Sequence, residues 1–343
     1  MKKLYGKLSF LFLLSIVVFT SCGNDNNNAP NVNDVKVDYT SHSFYKDFAA
    51  LDVNKMSEGL NTLKAKYPDF LDFYLDTLAG FGFNYQYSDT NQFLKDFLTH
   101  KDFRGLLDTV NKAFPDTKET DKNLKLSFQY IKHYDSSFSL PTHVYYFVSG
   151  LNGFTAVYQN EKNIGIGLDL FLGPNFAPYA SIGMPEYGTI KNSAENIPVW
   201  VCEMIYRDKY TFQYEDRNFL DLIIQKGKEL YFLKKVTPYL NDEVRLGYTP
   251  AQMKWATDNE AMIYNFFLQN KLMFETNLQK TMRFVTAGPN TAGMPAESPG
   301  NIGSYIGFKI VSSYMNNTNT TMHELLELKD PQKILQASKY KPK

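Results

Sequence analysis

Residues 197–210 read IPVWVCEMIYRDKY, residues 211–217 TFQYEDR, and residues 218–233 NFLDLIIQKGKELYFL. In the first block Val199, Cys202, Ile205 and Tyr206 recur at spacings of three and four, which puts them on one face of a helix. Phe219, Leu222, Ile223, Leu230 and Leu233 do the same in the third block, with Lys226, Gly227 and Glu229 between them. The spacing therefore predicts two helices, at 197–211 and 217–236, joined by a short polar link and packed face to face with Cys202 buried between them.

This layout is that of an HExxH zinc peptidase. There, one helix presents two His a turn apart plus a Glu base, and the next helix supplies a third ligand. The corresponding window here is Cys202-Glu203-Met204-Ile205-Tyr206, in which only the Glu is in place, and the second helix offers Lys226 where a carboxylate would stand. An ammonium has no lone pair to give a metal while it is protonated. The expectation is a metallopeptidase-like scaffold with a degenerate site at Cys202, Glu203, Tyr206 and Lys226, and with no metal, cofactor, catalytic residue or small-molecule substrate. Glu203 is expected to be neutralised by Lys226 or Arg207, because a lone buried carboxylate is costly. Cys202 is expected to be an inert thiol, since the adjacent carboxylate raises its pKa.

Working outward, the amino terminus reads as a targeting segment. Lys2, Lys3 and Lys7 precede an apolar run from Leu8 to Phe19, which ends in Phe19-Thr20-Ser21-Cys22. This end resembles a bacterial lipobox, so residues 1–21 are expected to be removed and Cys22 to carry the lipid that anchors the chain to a membrane. Gly23 in the next position favours the outer over the inner membrane. Residues 22–40 contain the Asn-rich run GNDNNNAPNVND and read as a flexible tether. Without Cys22, Cys202 has no partner in the chain, and the exported domain must rely on its core.

Residues 41–343 are read as one large domain. Lys and Arg total 36 against 36 Asp and Glu, a balance that argues against a nucleic-acid partner. The predicted order is a helical layer at 41–135, a small, largely antiparallel sheet at 143–171 and a helical half at 197–340, an α+β class that is mostly helical. The strand candidates are HVYYFV (143–148), FTAVY (154–158) and IGIGLDLF (164–171), with Asp169 either facing outward or capping a turn. Thr249, Pro250 and Gln252 form a helix start with a capping box, and that helix is expected to run to about Phe274. Residues 286–300 (TAGPNTAGMPAESPG) read as a mobile loop. A helix over 301–315 carries Gly303 and Gly307, which would let a neighbouring backbone approach. The five His, at 42, 100, 133, 143 and 323, are scattered and read as surface or satisfied core positions.

In order along the chain, IGIGLDLFLG (164–173), IPVWVCEMIY (197–206), LIIQKGKELYF (222–232), GSYIGFKIVSSYM (303–315), ELLEL (324–328) and ILQASKY (334–340) resemble the gliding-motility lipoprotein family GldB of Bacteroidota. That family is similar in turn to a group of zinc peptidases with an HExxH helix followed by an EGxAEYF-type segment. Of that pattern Glu203, Gly227, Tyr231 and Phe232 agree here, while Cys202, Tyr206 and Lys226 replace His, His and Glu. The resemblance implies a cell-envelope lipoprotein that acts through contacts with protein components of the gliding and linked type IX secretion machinery. The departures imply a pseudoenzyme. The competing expectation is a cryptic zinc-dependent peptidase or hydrolase of the envelope, with ligands drawn from distant His and carboxylates.

Overall fold

The sheet has four short strands in the order β1-β2-β4-β3: Thr40–His42, His143–Phe147, Asn163–Gly167 and Ala156–Asn160. In this computed structural model, residues 29–80 and 90–343 are described. Cys22, the segment 1–21 and the start of the tether lie outside them. By contact the chain divides after Pro30, and the sheet and the helices around it belong to the unit Asn31–Lys343.

The mostly helical α+β class holds, but the sheet is not largely antiparallel. β1 runs parallel to β2, and β2 runs parallel to β4; only β3 and β4 pair antiparallel. A simple meander fails because the link 148–155 turns through three left-handed residues, Gly150, Leu151 and Gly153. It carries the chain past the slot beside β2 before β3 begins. A tight reversal at Asn160, whose side chain accepts from the backbone N–H groups of Lys162 and Asn163, then returns β4 into that slot. Every residue of β4 is buried, as expected of a central strand in parallel pairing. The run expected to continue as strand through Phe171 instead becomes a 3-10 turn, Leu168–Leu170. Asp169 is fully buried there and fastens the crossover loop, accepting from the backbone N–H groups of Ser149 and Leu151 and from the Ser149 hydroxyl. Burial raises its pKa against the pull of those hydrogen bonds.

Alternating residues of β2 meet different layers. Tyr145 stacks on Phe70 at 4.1 Å between ring centroids, and Phe147 packs against Phe70 and Tyr74. Phe44, Phe48 and Tyr67 complete this aromatic cluster, so many of the chain's rings fill the core. Tyr146, facing the other way, donates to Asp121 on the Lys118–Tyr134 helix. The same carboxylate accepts from Ser41, and the Asp121 carbonyl accepts from the Tyr39 hydroxyl. Residues 31–40, expected as the end of a flexible tether, are thereby part of the folded unit. Val32 and Val37 are buried, and β1 starts at Thr40.

The carboxyl-terminal half is built on three helices, Ile197–Lys209, Phe219–Val236 and Ile302–Asn317. Gly303 and Gly307 of the third do admit close neighbours: the Phe284 carbonyl beside Gly303, and the backbone of the second helix, at Ile223, beside Gly307. Thr249 and Gln252 form the expected capping box, but that helix stops at Asp258, and a separate one spans Glu260–Gln269. The loop 286–300, expected to be mobile, is closed on itself. Thr291 donates its backbone N–H to the Ser298 hydroxyl and its own hydroxyl to the Pro299 carbonyl. Tyr248 then donates to the Gly300 carbonyl.

Candidate functional site

The two site helices begin on separate local signals. Pro198 occupies the first turn of Ile197–Lys209, where its missing N–H costs nothing. Asn218 and Asp221 cap Phe219–Val236 reciprocally, each side chain accepting the other's backbone N–H. With both starts fixed, Cys202, Glu203, Tyr206 and Lys226, singled out in the sequence, fall into distinct environments, and the structure does not gather them round one point.

Cys202 is fully buried, as expected, and its thiol is turned to Ser127 on the Lys118–Tyr134 helix. A third helix therefore shares in covering it. Burial pushes the thiol pKa up to about 12, with Glu203 adding to the rise. Tyr206 is buried beside Tyr210 and Phe232, and its hydroxyl accepts from Gln225 at 3.1 Å. Burial places this phenol far above its usual titration range.

Glu203 is not held by Lys226. Its partners are Lys191 at 2.5 Å and Arg207 at 3.6 Å. Lys191 is fixed in turn by Trp200, whose indole donates to the Lys191 carbonyl at 3.2 Å and lies 4.8 Å beneath its ammonium. Lys226 pairs instead with Glu229 at 3.0 Å, and Arg207 reaches Glu229 through Nε at 2.6 Å. The result is a chain of alternating charge: Lys191, Glu203, Arg207, Glu229, Lys226. Its carboxylates lie below the surface, with side chains 8% and 6% exposed, while Arg207 is 52% exposed. Burial raises the Glu229 carboxyl, but Lys226 and Arg207 outweigh it and hold the group below its ordinary value. Each buried acid thus has two cationic neighbours, the condition under which a carboxylate tolerates burial.

Sequence reasoning found Arg207 as a partner of Glu203 but missed Lys191 and Glu229. Lys191 sits on an irregular segment after the Glu186–Thr189 turn, so no periodicity pointed to it. Glu229 did carry a signal, lying one turn after Lys226 where an ion pair forms.

Tyr206, Arg207, Lys226 and Glu229 line a cleft of about 150 Å³ together with Phe212, Tyr214, Leu222 and Val285. Cys202 and Glu203 are not among its walls. Elsewhere, two of the scattered histidines do meet: His42 Nε2 lies 3.1 Å from His143 Nδ1, and burial followed by the neighbouring His143 lowers the pKa of His42. His323 Nδ1 lies 3.0 Å from the Asp135 carboxylate. Among the described residues, no group of three or more His, Cys, Asp or Glu is arranged to hold a metal, and no helix is long and apolar enough to cross a membrane.

The model of the family described as gliding motility protein GldB matches residues 25–342, nearly the whole chain. No curated protein and no solved structure matches it.

Proposed function

The chain belongs to the GldB family of gliding motility lipoproteins, and on that premise we propose that it is a non-catalytic component of the cell envelope. In this reading Cys22 carries the lipid, with the outer membrane as its site, and the folded unit supports gliding and the linked type IX secretion machinery through protein contacts. The helix pair is a metallopeptidase-like element that has exchanged its metal for a salt-bridge chain.

One observation carries the proposal. The position that would act as the general base, Glu203, is clamped between Lys191 and Arg207 and faces neither the cleft nor a metal-ligand set. The three flanking ligand positions hold a buried thiol, a hydrogen-bonded phenol and an ion-paired ammonium. An acid neutralised by two cations and set outside the cleft is poorly placed to take a proton from a substrate water, which general-base catalysis requires.

The test is genetic rescue. Cells depleted of the protein should lose gliding and secretion together. A Glu203→Gln copy, present at normal abundance, should restore both, whereas Cys22→Ala should restore neither and should leave the membrane fraction. If Glu203→Gln folds and accumulates but fails to rescue, a catalytic role must be reopened. Stoichiometric zinc that survives dialysis of the purified mature chain would point the same way.

A further inference from the structure

The cleft beside the salt-bridge chain has the construction of a receptor for a small anionic group attached to an apolar one. Its charges are layered. Glu229 lies underneath, 6% exposed, while Arg207 and Lys226 stand above it with 52% and 24% of their side chains exposed. Arg207 spends Nε on Glu229 and one terminal nitrogen, more distantly, on Glu203. Lys226 spends one of its three donors on Glu229. The remaining donors of both side chains are available where solvent reaches them, so the mouth is cationic although two buried acids sit below. The rest of the wall is apolar or aromatic, with Leu222 and Val285 inside and Phe212 and Tyr214 at the side. Tyr214 is 41% exposed, an uncovered aromatic surface at the entrance.

Size narrows the ligand. Pockets for whole small molecules usually measure roughly 300–1,000 Å³, and about 150 Å³ is room for one side chain. A single apolar side chain beside a carboxylate is the chemistry of a peptide's last residue, and capture of a terminal carboxylate is a recurrent mode of peptide recognition. Lys343 is not the occupant, because its carbonyl is held by the backbone N–H of Ala261. We propose that this cleft binds the free carboxyl terminus of a partner protein whose last residue is apolar. Arg207 and Lys226 take the carboxylate, and Leu222 and Val285 take the side chain. This rests on the reading of the chain as a non-catalytic contact protein and supplies the chemistry of one such contact.

The experiment is fluorescence anisotropy on the purified mature chain with labelled Gly-Ser-Gly-Ser-Phe, as the free acid and as the carboxyl-terminal amide. The acid should bind and the amide should bind at least tenfold more weakly, the weight of a charge-assisted contact. Lys226→Gln should weaken the acid by about tenfold. Thr211→Trp, which places a bulky ring on an exposed position of the cleft wall, should abolish binding without disturbing the ion pairs. A cooperative thermal transition above the assay temperature shows that either variant is folded and keeps its binding result interpretable. Absence of binding by the acid, equal binding of acid and amide, or affinity indifferent to Thr211→Trp would each overturn the proposal. So would laurate outcompeting the peptide in a Thr211-dependent way, which would make the ligand a fatty acid. None of these outcomes touches the rescue by Glu203→Gln, so the two readings fail separately.

Discussion

Gly227 and Gly307 meet backbone to backbone: a methyl group on Gly227 would lie 2.2 Å from the Gly307 carbonyl oxygen. The reverse contact is tighter still, since a Cβ on Gly307 would stand 1.7 Å from the Ile223 carbonyl oxygen. The second site helix is thus pressed against the Ile302–Asn317 helix, main chain against main chain, at Gly227 and Gly307. That contact fixes the floor from which Lys226 and Glu229 rise.

The contact gives a prediction of opposite signs. In a helix interior, Gly→Ala ordinarily adds about 1 kcal/mol of stability. Gly105, in the Lys101–Ala113 helix, has nothing near its would-be Cβ, so Gly105→Ala should raise stability by roughly 0.5–1 kcal/mol. At Gly307 the obstacle is main chain that cannot rotate away, and the two helices must part. Gly307→Ala should therefore cost about 3 kcal/mol or more, and Gly227→Ala should also destabilise. Urea denaturation of the three variants checks this, and a stabilised Gly307→Ala would show that the helices are not in contact there.

The thiol of Cys202 should be silent in the native protein. It is fully buried, turned to Ser127, and has its pKa pushed up to about 12, so the reactive thiolate is scarce as well as enclosed. In the Cys22→Ala chain, which has no other thiol, Ellman's reagent should react only at the rate of unfolding. Labelling within seconds under native conditions would mean that the first site helix is uncovered.

These expectations could be drawn to different depths from the sequence. The two site helices, the capping box at Thr249, the burial of Cys202 and the close approach at Gly303 and Gly307 follow from local spacing and from which residue types tolerate which backbone. Strand order does not. HVYYFV, FTAVY and IGIG are three plausible strands in any order, and what placed β4 between the others is the left-handed geometry of Gly150, Leu151 and Gly153. Three residues at Thr40–His42 carry too little pattern to announce β1, and their place is set by Asp121, 80 residues away. At the site, the helical positions of Cys202, Tyr206 and Lys226 were legible from spacing alone. The salt-bridge chain was not, because Lys191 comes from an irregular segment that only the tertiary fold brings to Glu203.

The chain of charges should show itself most clearly in acid. Glu229 is 6% exposed, is paired with Lys226 and Arg207, and titrates below its ordinary value near 4.5. A carboxyl whose folded pKa is depressed contributes stability that is complete above the unfolded value and disappears as pH falls through the folded one. The native protein should therefore lose stability from about pH 4.5 downward, with Glu229 as one contributor. Glu229→Gln removes that contribution at every pH, and it leaves Lys226 without its anion. Breaking a buried pair by deleting one member costs about 3–5 kcal/mol, and the half-exposed Arg207 can recover part of this through water. A loss of about 3 kcal/mol at pH 7 is the expected result, shrinking as pH falls below about 4.5 and the wild-type carboxylate is itself protonated. Because the carboxylate is buried, raising the salt concentration should change the difference little. Thermal denaturation of both proteins at pH 3, 5 and 7 measures it. A deficit that is the same at all three pH values would show that Glu229 contributes through packing, and the alternating salt-bridge chain would then not be what holds this site together.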